Sequence, residues 1–528
     1  MRGAGGIAVV SLTLLGSGCG SGSAGTPNAC APPQDGSRLK AFVLRAEDGA
    51  WENLSRYGYW YDSLLATRCF FEHTADGALR CLPSPPLSTY FGDAACSQRV
   101  ASARPCTDGP PRYALVPLSS TCAGIASITP SAVYSLGAGS VPAVLHYQQS
   151  VGGNLQCLES PNSEGLEVYP LVSELAPPEF VAATIELTTG SRIQTSRLVA
   201  EDGTRGSESG RAFDSNFFGG ECLVDLAADG EWRCLPVEAI IRRAGWTFAD
   251  PSCTQGLVMQ GGGSCAPDFR AKLAGIEEPR TCAVIAGVPR ERYPPMRHVH
   301  QLGAASTPAQ TFTKTYQTDN SVICEATPNT DATPFSEVRA ELPPTEFLRA
   351  SQKEISCGPM GASGRRLKAH YAASDDGVVL GSAATWVDEE LGEECFFQVA
   401  ADDVIRCIPN RQRMAGVQYF ADASCSRGLV AIDRCIESPR GAPKFAVVDE
   451  AGGACVAGMG LVDIRARVHA LGATVTPSTL YSYNFDQPAR CVPFDQVAVE
   501  TLFMEFEFRE LGSEVPPTTF VAGTIEMP

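Results

Sequence analysis

The sequence predicts an all-β protein made of three tandem repeats, and three observations carry that prediction. First, a six-cysteine signature occurs three times, each copy opening with C-x11-C closed by Arg80-Cys81-Leu82-Pro83, Arg233-Cys234-Leu235-Pro236 or Arg406-Cys407-Ile408-Pro409. Second, short apolar runs alternate with Asp-Gly, Gly-Gly and Pro-rich turns, the spacing of strands rather than helices. Third, each copy closes with a Phe-led run, 180–187, 347–355 and 520–527, just after a Pro-Pro pair. Four-stranded antiparallel groups in series, two per repeat, predict paired blades of a six-bladed β-propeller-like ring. Three tandem β-sandwich-like domains are the alternative.

Residues 1–19 read as a lipoprotein export signal. Arg2 begins it, residues 7–15 form an apolar stretch too short to span a bilayer, and small residues precede the lipidation cysteine, Cys19. Residues 20–36, rich in Gly and Ser, read as a flexible tether. A lipid-anchored place in the bacterial cell envelope follows as an expectation. The 21 cysteines imply an oxidising compartment. A net charge of −18 argues against nucleic-acid partners.

Repeat 1 spans 37–187, repeat 2 spans 188–355 and repeat 3 spans 356–528. The interval from Cys157 to Cys324 equals that from Cys324 to Cys491, at 167 residues. Copies open at Arg38, Arg192 and Arg366 and then turn at Asp48-Gly49, Asp202-Gly203 and Asp376-Gly377. An aspartate precedes the first cysteine of each (Asp62, Asp214, Asp388). In repeat 1 the expected strands are 39–44, 56–61, 69–72 and 79–82, then 113–117, 132–136, 144–148, 155–158 and 168–171. The last strand of the chain has no following partner in sequence and the first has no preceding one, so pairing 520–527 with 38–44 would hide both edges.

The hairpin around Ala75 places Cys69 and Cys81 symmetrically about its turn. Opposed strand positions lie close enough to bridge, so Cys69–Cys81, Cys222–Cys234 and Cys395–Cys407 are expected. The other four cysteines of each copy are expected to pair as neighbours and then across the long loop, with three connectivities open. Cys30 and Cys357 stand at matching places before Arg38 and Arg366, and a bridge between them is expected.

The pattern Gly36 to Ala41, Ala75 to Gly77, Arg80 to Pro83 and Tyr90-Phe91-Gly92-Asp93-Ala94-Ala95-Cys96 resembles the repeats of uncharacterised disulfide-rich bacterial surface lipoproteins. The resemblance spans nearly the whole mature chain and supplies no catalytic residues.

Chemistry-bearing candidates are few, and no nucleophile elbow, zincin, P-loop or dinucleotide motif is present. The expected protein is therefore not an enzyme and needs no cofactor. His298 and His300 share a strand face. His300 aligns with His469 and Tyr134, which would form a metal or polar-ligand site only if a ring brought them together. The recurring Asp48, Asp62, Asp76 and Asp93 suggest acid/base carboxylates at first sight, but recurrence in every copy points to turns and caps instead. One stretch breaks the three-fold pattern: Trp51, then Tyr57-Gly58-Tyr59-Trp60-Tyr61. Tyr57, Tyr59 and Tyr61 would line one strand face and Trp60 the other. Exposed aromatics of this kind stack on sugars and anchor protein partners. The expected function is a non-catalytic binding or scaffold module for polysaccharide or protein. A glycan-active hydrolase or lyase and a passive envelope component are the alternatives.

Overall fold

The computed structural model describes residues 33–526, apart from 58, 84–89, 104–109, 124–125, 152–153, 164, 189–190, 218–219, 237–239, 243–246, 261–270, 286–287, 317–321, 415–416, 436–440, 457–459 and 485–489. The chain is nearly all β, folded into several curled antiparallel sheets, and one short α-helix, Gln496–Glu505, is capped by the Asp495 carboxylate. Both the propeller-like and the sandwich-like descriptions accommodate this arrangement.

Each repeat divides into two halves. The second half builds a sheet of its own, with seven strands in repeat 1 and eight in each of repeats 2 and 3. The first halves instead pool their strands into a nine-stranded and a ten-stranded sheet that run from one repeat into the next. The link is the closing strand. Ala182–Leu187 of repeat 1 pairs backward with Leu79–Pro83 and forward with Ile193–Ala200, the first strand of repeat 2. At the next junction Cys234 N donates to Leu348 O at 3.0 Å, as Cys81 N donates to Val181 O. At the last, Ala522–Glu526 pairs with Ile405–Pro409 and with Val43–Ala46, setting Val43 against Glu526. The expected pairing of first and last strands is therefore present.

Three side chains recur where the two halves of a repeat meet. Leu82, Val133 and Phe180 pack together in repeat 1, Leu235, Val299 and Phe347 in repeat 2, and Ile408, Val468 and Phe520 in repeat 3. Each closing phenylalanine is about 1% exposed. Burying such a ring contributes about 1.5–3 kcal/mol, which explains why every copy carries one.

The three hairpin disulfides form as expected, but their cysteines are diagonal rather than opposed. Cys69 faces Pro83 and Cys81 faces Phe71. The turn is centred one residue later than the cysteine spacing implies, with Gly77 in the left-handed region. The strand twist still brings the two Cα atoms to 5.2 Å. The expected pairing of neighbours is overturned: of the three connectivities the structure forms the one that joins first to last, Cys96–Cys157, Cys253–Cys324 and Cys425–Cys491. Cys357 is buried in the short strand Cys357–Gly358. Cys19 and Cys30 lie outside the described residues, and so do the expected anchor and the Cys30 bridge.

Two strand expectations need correction. The first strand is broken at Phe42 into Leu39–Ala41, which belongs to the nine-stranded sheet, and Val43–Ala46, which belongs to the ten-stranded one. The expected strand 56–61 begins only at Tyr59, because Leu54–Tyr57 forms a 3-10 turn. The short strands Tyr90–Phe91 and Arg99–Ala103 had no expectation.

Candidate functional site

The recurring aspartates are structural. Asp62, at 0% exposure, receives Arg38 Nε and Nη2 at 2.8 and 2.6 Å and the amides of Leu64 and Leu65. Asp214 with Arg192 and Asp388 with Arg366 repeat this bidentate pair. The turn aspartates act between repeats. Asp202 Oδ2 accepts the amides of Arg38 and Leu39, Asp376 Oδ2 that of Ile193, and Asp48 Oδ2 those of Arg366 and Leu367. Repeat 2 thus holds repeat 1, repeat 3 holds repeat 2, and repeat 1 holds repeat 3, a cyclic hand-off. Burial pushes the Asp202 carboxyl up, but the amides of Leu39 and Arg38 and the Thr204 contacts outweigh it and hold it below the usual range. Gly36 and Gly364 are required here, since a Cβ would lie 2.3 Å from Asp202 Oδ2 or 2.4 Å from Asp48 Oδ2.

Asp76, Asp229 and Asp402 each pair with the arginine four residues on, whose Nη1 donates to the carbonyl of the closing phenylalanine. The Thr74 hydroxyl, with help from Arg80, draws the Asp76 carboxyl down to about 2. Asp93 and Asp250 close exposed turns through Ser97 and Thr254. All of these carboxylates are engaged in holding the frame.

The three candidate histidines, His298, His300 and His469, are each absorbed locally. His298 sits 2.8 Å from both Glu278 and Glu341. The equivalence of Tyr134, His300 and His469 is real: they face Glu174, Glu341 and Glu514 across their strands. They stand in three different sheets, however, and His300 and His469 are bonded through Nδ1 to the carbonyls of Arg339 and Gly512. Among the described residues no three His, Cys, Asp or Glu side chains converge on a metal-sized site.

The aromatic stretch divides. Trp60, expected on a ligand-facing strand, is 2% exposed and packed with Leu39 and Cys69, so it is a core residue. Tyr57 ends the 3-10 turn instead of sharing the strand face, and its side chain lies outside the described set. Trp51 is half-buried on the strand Trp51–Asn53. Tyr61 is half-buried, edge-on to Phe42 at 6.3 Å. Tyr59 is 45% exposed and lines a cavity of about 640 Å³.

That cavity lies where repeat 3 meets repeat 1. Phe42, Leu44, Glu52, Leu54, Tyr59 and Arg68 come from repeat 1. Met360, Thr385, Trp386, Phe396, Phe397 and Asn410 come from repeat 3, beside Ile525 of the closing strand. Glu52 is buried and accepts Trp386 Nε1 at 3.0 Å. The Arg413 guanidinium covers one face of Phe396 at 5.3 Å and is itself fixed by Asp449. A second cavity, of about 580 Å³, is walled by Glu47, Arg365, Glu389 and Glu390 around the Asp48–Arg366 contact, so it belongs to the inter-repeat clamp.

Sequence reasoning found Tyr59 but missed its partners. The signal was a spacing: Gly49 to Asp62 is 13 residues, while Gly203 to Asp214 and Gly377 to Asp388 are each 11. The two extra residues of repeat 1 fall in the stretch that forms the Leu54–Tyr57 turn, which splits the second strand and walls the cavity.

Two segments of the chain, residues 12–284 and 178–504, match a family of unknown function (DUF7481), and the chain belongs to that family. The two matches overlap at residues 178–284, which is consistent with a protein built of repeats. No curated protein and no solved structure matches the chain.

Proposed function

We propose that this is an exported surface protein of the cell envelope, held to a membrane by a lipid on Cys19, that binds a polysaccharide or a protein without catalysing a reaction. Six disulfides among the described residues fit an oxidising, extracellular setting. No helix among the described residues is long and apolar enough to cross a membrane; in this reading the lipid on Cys19 supplies the attachment. The observation that carries the binding reading is the cavity at the junction of repeats 3 and 1, the one place among the described residues where an exposed aromatic from the symmetry-breaking stretch meets aromatics of another repeat. Aromatic faces beside planar polar groups (Glu52, Arg68, Asn410) suit a sugar ring better than a protein side chain, because a sugar presents an apolar face edged by hydroxyls. The recurring carboxylates are bound into the frame and so are not free to serve hydrolysis, which favours binding over turnover.

The test is a binding screen of the oxidised mature protein against a polysaccharide panel and solubilised envelope proteins. Saturable binding is expected, weakened at least about tenfold by Tyr59→Ala, with unfolding free energy unchanged within about 0.5 kcal/mol. Absence of binding to both sets by folded protein, or turnover of a bound polysaccharide, overturns the reading.

A further inference from the structure

Resting on that reading, we infer that the junction cavity takes the terminal residue of a neutral glycan, end-on, and does not clamp the interior of a chain.

Shape comes first. A volume of about 640 Å³ lies in the range of small-ligand pockets, which enclose most of what they bind. The apolar lining residues Phe42, Leu44, Met360 and Ile405 are each 5% exposed or less. The exposed lining side chains are Tyr59, at 45%, and Phe396, at 37%, one from each repeat, so the mouth lies between them. An interior segment of polysaccharide needs a groove open at both ends. A pocket whose exposed lining is confined to Tyr59 and Phe396 admits one end.

Charge comes second. The lining holds one carboxylate, Glu52, and one guanidinium, Arg68, and so carries no net charge. Around it the chain carries a net charge of −18, which repels uronates and other polyanions and leaves neutral sugars unaffected. Thr385 and Asn410 supply hydroxyl and amide groups for sugar hydroxyls.

Readiness comes third. Arg413 holds the exposed ring of Phe396, and the Trp386–Glu52 hydrogen bond fixes the packed residues behind the cavity, before any ligand arrives. Binding to a preformed wall avoids much of the ordering cost of association.

The test is titration calorimetry of the oxidised full mature chain with a neutral polysaccharide, size-fractionated oligosaccharides of the same sugar, its free monosaccharide, and a uronate polymer of matched length. One binding event per chain end is expected whatever the oligomer length, with the monosaccharide competing. Asn410→Ala and Thr385→Val should each weaken binding about three- to tenfold, and their melting temperatures serve as the folding control. Stoichiometry that grows with oligomer length, or preference for the uronate polymer, overturns end-on neutral recognition while the binding reading stands. Loss of all glycan binding alongside capture of an envelope protein overturns both the inference and the polysaccharide assignment.

Discussion

Repeat 1 and repeat 3 share a plan but differ in their second strands. In repeat 3 the strand Val379–Asp388 runs unbroken, carrying Trp386 in the core and ending in the buried Asp388. In repeat 1 the same path is cut into Trp51–Asn53 and Tyr59–Asp62 by the 3-10 turn. Yet Trp60 and Asp62 occupy the places of Trp386 and Asp388, each pair almost fully buried. The frame has been kept while the wall between its fixed points was changed. Two added residues, with no new fold, turned a strand into the side of a cavity.

If the frame is equivalent in all copies, its loss should cost the same everywhere. The largest effect is expected from Asp62→Asn, Asp214→Asn and Asp388→Asn, each of which breaks an ion pair whose carboxylate is almost fully buried and whose arginine is partly exposed, at about 3 kcal/mol. Denaturant midpoints of the three variants should agree within error. A much smaller loss for Asp62→Asn would show that the cut strand no longer loads its ion pair. The hand-off comes next. Asp48→Ala, Asp202→Ala and Asp376→Ala each orphan backbone amides at the start of a neighbouring repeat, at about 1–3 kcal/mol. Differential scanning calorimetry should show one transition shifted alike in all three variants, whereas a split transition in Asp48→Ala alone would mark the repeat 3–repeat 1 junction as the weak link.

The smallest effect is expected from acid. Asp76 and Asp250 are both drawn down to about 2, Asp76 chiefly by the Thr74 hydroxyl and Asp250 chiefly by the Gln255 amide. A carboxyl held lower when folded than its ordinary 3.8 stabilises the fold above that ordinary value. The contribution disappears as pH falls toward the folded value. Melting temperature should therefore hold level from about pH 7 to about pH 5 and decline from about pH 4 to about pH 2. A decline centred near pH 6 would point to histidine instead and contradict the turn assignment.

Much of the frame was legible because it is local. The C-x11-C hairpins declare themselves in a dozen residues, and the closing phenylalanines follow their Pro-Pro pairs by two or three residues. The diagonal offset of Cys69 and Cys81 was not legible, since it depends on where the turn residue Gly77 takes its left-handed conformation. The inter-repeat aspartates recur visibly, but their targets lie up to 319 positions away, as Asp48 to Leu367 shows. The cavity was hidden most deeply. It gathers residues from Phe42 to Ile525, and alternation along one strand identified Tyr59 without revealing what stands opposite it. The same alternation nominated Trp60, whose size and apolarity the core used instead.

The pairing of Val43–Ala46 with Ala522–Glu526 also sets an order of events in time. This contact joins strands nearly the whole described chain apart, so it carries the largest loop-closure cost among the described strand pairs and should form late. Until the closing strand arrives, the first strand presents a bare edge to solvent and to other chains. Under the proposed export, amino end first, the chain would carry an adhesive rim through most of its passage. Folding intermediates should be trapped by crowding at that rim, and a free peptide matching Ala522–Glu526 should slow refolding by occupying it.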